Sequence, residues 1–312
     1  VVILPFNNKG KEEDEFYSYG IWLDLITEVS GAGLIRVASK NQIDDMGDVS
    51  IKEIQNRLCV RYIVNGELWK LGNKFQLFIE LYDTKESKVL WTDKWQENWE
   101  NITTIKSHLS DGLLKALSTK PKVDGRVETT NSDAYEYYLR AKYRLEMRSN
   151  NQDIPIAREL IEKAIGFDDN MILAKSLLGK TYLFTKDNDK AMIIFEQNLS
   201  QAKELKDNSG IALSYSNIGM VFWNREKYDQ ALDYFNRSLN IVEALNDKAQ
   251  IAHLFHLIGH AYIDKKEFNN ARKFWEKGKI LYEEIEDEDG ISSSKTHFGI
   301  LSLDICNYIT AL

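Results

Sequence analysis

Three histidines in the stretch HLFHLIGH, His253, His256 and His260, are the residues of this sequence best suited to chemistry. Their spacing of i, i+3 and i+7 puts all three on one face of a helix. Imidazole ligates metals and titrates close to neutral pH. Three on one rigid helix span about two turns, roughly 10 Å, too long for a single ion. Two of them could hold an ion only with help from His297 or Asp304 further along the chain. The cluster fits a partner contact better: imidazoles supply hydrogen bonds and, protonating near pH 6, would favour an acidic partner as pH falls. Other chemistry is missing. No G-x-x-x-x-G-K loop occurs, Gly31-x-Gly33 lacks the third glycine of a dinucleotide fingerprint, and no nucleophile-elbow, kinase or metalloprotease signature is present. We therefore assign no catalytic residue, no cofactor and no metal, and expect no turnover from this chain alone.

The histidines sit inside a repeat. Gly179, Gly219, Gly259 and Gly299 stand 40 residues apart, each after an apolar residue. Ala191, Ala231 and Ala271 keep the same interval, as do Phe195, Phe235 and Trp275. Leu205, Leu245 and Ile285, Asp207, Asp247 and Asp287, and Ile211, Ile251 and Ile291 follow suit. A fixed period of this size means stacked supersecondary units. Each unit carries two apolar patterns of helical spacing, split at Asn224-Arg225-Glu226 in the copy from Ser209 to Leu245. Gly219 and Ala231 are expected where the two helices cross, because a minimal side chain lets backbones approach. Phe235 would fill the gap towards the next unit.

These residues resemble the tetratricopeptide repeat (TPR) in a long form, with a stretched second helix and an Asp-containing turn. The resemblance covers roughly Asp133 to the end, with an upstream copy around Ala141, Ala157 and Ala164 whose inter-helix loop, Ser149 to Pro155, is long. The last copy stops after its first helix. The helix-ending proline of the standard repeat is absent throughout. The resemblance implies a right-handed superhelix whose concave face binds a protein or peptide. Mapped onto that pattern, the groove holds Leu173, Ser176, Lys180 and Leu183, then Leu213, Ser216, Met220, Trp223 and Asn224, then the three histidines, while Phe255 and Ile258 pack inward. Trp223 is the expected anchor, since a large aromatic dominates interface energetics; its alternative role is packing between units. The proposed partner-binding set is Lys180, Met220, Trp223, Asn224, His253, His256 and His260. The acidic run Glu283 to Asp289 reads as a solvated loop.

Composition sets the outer bounds. With 312 residues, two domains are expected. A net charge of −8 argues against nucleic acid, which rewards a clustered basic surface. No apolar run approaches the ~20 residues needed to span a bilayer, and no signal peptide is seen. Cys59 and Cys306 are too few for a disulfide framework, which favours a reducing, cytoplasmic setting; a membrane span upstream would make it periplasmic. The opening Val1-Val2-Ile3-Leu4, without Met, reads as a cut at the start of a buried strand.

The first 120 residues alternate differently. A strand is expected over Val1 to Phe6, a helix from about Phe16 to Val29 ended by Gly31-Ala32-Gly33, and a short strand over Leu34 to Ala38. Ser50 with Glu53 forms a capping-box pattern before a helix with Ile51, Ile54 and Leu58 inward. Three strands follow, Cys59 to Lys70, Lys74 to Tyr82 and Lys88 to Gln96, then an amphipathic helix through Ile102, Ile105, Leu109, Leu113 and Leu117. This order makes an α+β domain, helices over a mixed sheet, spanning 1–120, with a polar linker at 121–132 and the all-α TPR solenoid at 133–312. The blocks VVILPFNN (1–8), YGIWLDLITEVS (19–30) and the run from Val60 to Ile102 with Leu90-Trp91 resemble a small domain of the TolB amino-terminal region, the flagellar FlgO proteins and TPR-bearing bacterial adenylate cyclases and sensor regulators. Trp22, Trp69 and Trp95 make this copy more aromatic than the pattern. That family supplies no catalytic residue to carry over.

Two functions fit these residues. One is a protein-binding regulatory module of a larger bacterial signalling protein. The other is a small-molecule sensor with its site between the two domains.

Overall fold

A computed structural model describes residues 1–31, 51–58, 60–117, 129–148, 150, 152–285, 287 and 290–299. The described chain divides into two compact units, one reaching to Ala174 and the other starting at Lys175. The strand expected at Leu34 to Ala38, the Ser50 cap and most of the linker at 121–132 lie outside the described residues.

The first unit is built on a mixed sheet. Strands β1 (Val2–Ile3) and β2 (Asn7–Asn8) both run parallel to β3 (Tyr62–Leu71), which pairs antiparallel with β4 (Lys74–Asp83), and β4 pairs antiparallel with β5 (Lys88–Asn98). The strand expected over Val1 to Phe6 is therefore shortened to Val2–Ile3, and a second short piece pairs beyond it at Asn7–Asn8. Pro5, which has no N–H for a ladder, falls in the gap between them. Phe6 instead turns its ring onto Gly66 of β3, where a Cβ would sit 2.5 Å from the ring. On β4 the period-two pattern is obeyed: Phe75, Leu77, Ile79 and Leu81 are buried.

Helices α1 (Glu15–Gly31) and α3 (Ile102–Ala116) pack together and reach the sheet through β3 and β5, while α2 (Ile51–Leu58) buries Ile54 and Leu58. Trp22 of α1 is fully buried and donates its Nε1–H to the Ile3 carbonyl at 2.7 Å, tying helix to strand. A helix pair, α4 (Ser132–Glu146) and α5 (Asp153–Phe167), packs within this same unit. Gly20 of α1 lets Leu139 of α4 come within 2.7 Å of where a Cβ would stand. Beside that contact, Asp24 accepts from the Tyr135 hydroxyl at 2.6 Å and from Lys142 at 3.1 Å. Helix α5 starts earlier than the sequence implied, because Pro155 sits in its first turn, where the missing N–H costs nothing.

The second unit continues with α6 (Ile172–Phe184), α7 (Asn188–Glu204), α8 (Asn208–Asn224), α9 (Tyr228–Ala244), α10 (Lys248–Asp264), α11 (Phe268–Glu284) and a further helical stretch α12 at 290–299. From α7 to α11 every helix is 17 residues long and starts 20 after the last. The backbone thus repeats at half the sequence period. Each turn has the same geometry. Lys186, Lys206, Glu226, Asn246 and Lys266 all adopt positive φ, between 53° and 62°. The next residue sends its N–H back to a carbonyl five positions earlier, as Asp207 does to Ala202 and Lys227 to Phe222, both at 2.9 Å. This is a Schellman closure whose last residue is also the N-cap of the following helix. The aspartates at 187, 207, 247 and 287 cap by accepting from the N–H three residues on; Lys227 and Glu267 do not cap.

The helix crossing is as expected. A Cβ on Gly219 would stand 2.6 Å from the Phe235 ring and 3.3 Å from the Ala231 carbonyl; Gly179 faces Phe195 and Gly259 faces Trp275 in the same way. Ala191, Ala231 and Ala271 are fully buried.

Replacing Ala231 by Leu should overpack this crossing and cost about 1–3 kcal/mol, read as a lower melting temperature. Glu226→Gly should act in the opposite direction, relieving the positive φ and raising stability by about 0.5–1 kcal/mol in the same melt. An unchanged melting temperature in either variant contradicts the register.

Candidate functional site

The first helix of each repeat, α6, α8, α10 and then α12, lies beside its counterpart one repeat on. Ser176 of α6 accepts from Asn217 of α8 at 3.4 Å, and Trp223 of α8 donates to Asp264 of α10 at 2.5 Å. His256 and His260 of α10 reach Ser294 and His297 of α12, each at 3.0 Å. This shared face carries most of the residues expected to bind a partner.

Trp223 packs between repeat units and still leaves part of its ring to solvent. Its ring is half-buried and stacks on His260, centroids 5.8 Å apart and planes 25° apart, while it also borders the apolar cluster around Phe235 and Ile258. Met220 is half-buried and packs against that cluster and the one around Phe195. Asn224 is exposed at the helix end, 3.4 Å from Asn188. Lys180 is half-buried on α6, and its ammonium acts on His253 of α10. Ser176 and Leu183 turn inward instead of lining an open face: Ser176, 3% exposed, accepts from Asn198 at 2.9 Å, and Leu183 belongs to the Phe195 cluster.

The three histidines do not act as one group. His253 is exposed. His256 is only 6% exposed and cannot serve a groove, a correction to the sequence expectation. It is wedged between Tyr282, Ser294 and His297, with ring centroids 5.0 Å and 4.8 Å from the two aromatic rings. The cause is legible in hindsight at position 278: a Cβ on Gly278 would stand 2.8 Å from the His256 ring. The equivalent residues one and two repeats earlier are Ser238 and Asn198, and the position equivalent to His256 holds Ser216 and Ser176. In the pairs Ser176–Asn198 and His256–Gly278 a larger residue on one helix is matched by a small one on the other, while Ser216 and Ser238 are small on both. His260 is half-buried and shares a short N···N contact with His297, so one imidazole of the pair donates and the other accepts.

Their electrostatics follow from this placement. Burial, then the other imidazoles, push His256 down to about 3; burial, then His260, push His297 down to about 4. His260 is also lowered by burial, with Asp264 opposing, and His253 by surrounding protein and then by Lys180. His256 and His297 therefore stay neutral near pH 6, so the gain of positive charge expected there does not occur at His256. The pairing of His260 with His297 fulfils half of the metal alternative, but among the described residues no three His, Cys, Asp or Glu side chains are arranged to hold a metal ion, and Asp304 lies outside them. Sequence reasoning missed Asp264 and Ser294, whose roles depend on contacts between repeats.

A second concavity, of about 1140 Å³, lies within the first unit, where the start of α1 and the β3–β4 turn face α4 and α5. No helix among the described residues is long and apolar enough to cross a membrane.

Residues 156–244 and 252–278 match models of the tetratricopeptide repeat. A protein of Rhizobium meliloti (strain 1021) named "Putative adenylate cyclase 3" is 23% identical over 222 residues, 67% of this chain and 38% of that protein. The chain thus spans well under half of that relative. Among solved structures, aspartyl phosphate phosphatase F from Bacillus subtilis superposes with a TM-score of 0.50 at 16% identity, covering 69% of this chain and 56% of that one. The apo form of RapI gives 0.49 at 15%, over 68% and 77%. TolB from Acinetobacter baumannii gives 0.30 at 21%, over 38% and 27%, too little to support the resemblance of the first domain. At these identities the superpositions speak to fold alone. Residues 156–244 and 252–278 of the chain are tetratricopeptide repeats.

The depressed imidazoles make stability depend on pH. A group whose folded pKa lies below its unfolded value of 6.5 stabilises fully above that value, and the contribution drains away as pH falls through the folded pKa. The window runs from about 6.5 down to about 3 for His256 and about 4 for His297. Each pH unit below 6.5 should cost about 1.4 kcal/mol per group until its folded pKa is reached. Melting curves between pH 7 and pH 4 should show this slope, and His256→Gln should flatten it; an equal slope in the variant rules out the buried neutral imidazole as its source.

Proposed function

We propose that the helical repeats bind a protein or peptide partner along the face formed by α6, α8 and α10, through Lys180, Met220, Trp223, Asn224, His253 and His260. The observation that carries this is Trp223: a large ring, half-exposed, held in one orientation by Asp264 and by stacking on His260. A pre-oriented aromatic binds with little loss of side-chain entropy, and burial of its remaining area supplies affinity. Asn224 and His253, both exposed, add hydrogen-bonding groups around it. Repeats of this type support the reading as a protein-binding architecture.

The chain is, on this proposal, a non-enzymatic regulatory module of a larger signalling protein. Support comes from the longer Rhizobium meliloti relative, of which it matches 38%. The sensor alternative draws less support. Ligand pockets are enclosed and mostly apolar with a few polar groups, whereas the first-unit cleft is open and heavily charged.

The test is a pull-down from the source organism with wild type and with Trp223→Ala combined with His253→Ala. The double variant should melt as a folded protein and lose at least one partner that wild type retains. A folded variant that keeps every partner overturns the proposal.

A further inference from the structure

The cleft in the first unit has two unlike walls. One, formed by α4 and α5, carries exposed apolar side chains, Met147 at the end of α4 at 49% and Ile156 of α5 at 42%, and Leu71 of the β3–β4 turn, 76% exposed, faces them across the cleft. These are three of the ten large hydrophobic side chains that stand exposed among the described residues, gathered at one concavity. Single exposed apolar residues are ordinary, but a contiguous set around a concave surface marks a contact site.

The other wall is the acidic approach to α1. The cations lining the cleft are already matched: Lys9 by Glu67 at 3.4 Å, Lys11 by Glu13 at 3.1 Å, Arg140 by Glu136 at 2.6 Å and Arg144 by Asp153 at 3.5 Å, while Lys70 donates to the Tyr17 hydroxyl at 2.6 Å. Glu12, Asp14 and Glu15 have no cation within ion-pair distance among the described residues. Glu15 and Glu12 lie near enough to Tyr143 on the α4 side that, after burial, they help hold its hydroxyl protonated. One carboxylate in the first turn would satisfy the α1 dipole. With the partners named, seven carboxylates meet five cations, which leaves a surplus of two negative charges beside the exposed apolar side chains.

We propose that this cleft is a docking surface for a cationic amphipathic helix of a partner protein, its apolar side chains on Leu71, Met147 and Ile156 and its Lys or Arg side chains on Glu12, Asp14 and Glu15. Helix-in-groove binding needs an apolar floor for i and i+4 anchors and charges along the flank, and both are in place. The site belongs wholly to the first unit, so it is separate from the repeat face proposed above.

The probe is a fluorescein-labelled helical peptide of Leu and Lys, about fourteen residues or four turns long, with a Leu and Glu version as control. Binding is followed by fluorescence anisotropy at low and at physiological salt. The Leu and Lys peptide should bind, the Leu and Glu peptide should not, and affinity should fall with salt. Glu12→Gln with Asp14→Asn and Glu15→Gln should weaken binding at least tenfold and lessen its salt dependence. Met147→Ser with Ile156→Ser should weaken it with the salt dependence kept. A charge-matched control, Glu196→Gln with Glu204→Gln and Glu243→Gln on the repeat helices, should bind as wild type does. No binding of the cationic peptide, binding of both peptides alike, or equal loss in the cleft and control triples overturns the proposal.

Discussion

The repeat half of this protein depends on a missing side chain. At Gly179, Gly219 and Gly259 a first helix offers bare backbone, and the ring sixteen residues later, Phe195, Phe235 or Trp275, fills the space. With a Cβ there the ring would have to leave, and the two helices of the unit would separate. Close packing tolerates neither a void nor an overlap, so glycine and ring must occur together. Everything on the outer faces, including the orientation of Trp223, follows from where these crossings put the helices.

The second constraint is in the turns. Five non-glycine residues accept positive φ because the closure around them joins two helices in three residues. The carbonyls at one helix end and the N–H groups at the next start would otherwise be orphaned together. Where aspartate follows, its carboxylate takes one more N–H, and Asp207, Asp247 and Asp287 among these carry the 40-residue sequence signal. Lys227 and Glu267 occupy the same geometry without capping. The chain therefore reads as period 40 and folds as period 20.

That contrast explains what was legible from residues alone. Markers needed for close approach, such as Gly219, Ala231 and Phe235, permit few alternatives and stand out in the sequence. The α+β order of the first domain was readable for a similar reason, since Phe75 to Leu81 alternates strictly and the stripe from Ile102 to Leu113 has helical spacing. The first strand was read too long because an apolar run does not reveal that the ladder stops at Ile3 and resumes only beyond Pro5, at Asn7. His256 was misread because its direction depends on Gly278 of another helix and Ser294 of the next repeat. Spacing within one helix fixes a face, and neighbours decide whether that face meets water. The protonation expected near pH 6 failed with it, as burial outweighs the solution preference of imidazole.

The match between His256 and Gly278 also bears on how such an array could evolve or be rebuilt. The first repeat solves the same position with Ser176 and Asn198, a small residue on the first helix and a hydrogen-bonding one on the second. Exchanging second helices between the two units would set Asn198 against His256 and leave Gly278 opposite a serine. One hybrid is overfilled and the other hollow. The units share a backbone, yet their helices are not interchangeable parts: each first helix carries half of a lock whose other half lies on its own second helix, so the two must stay together.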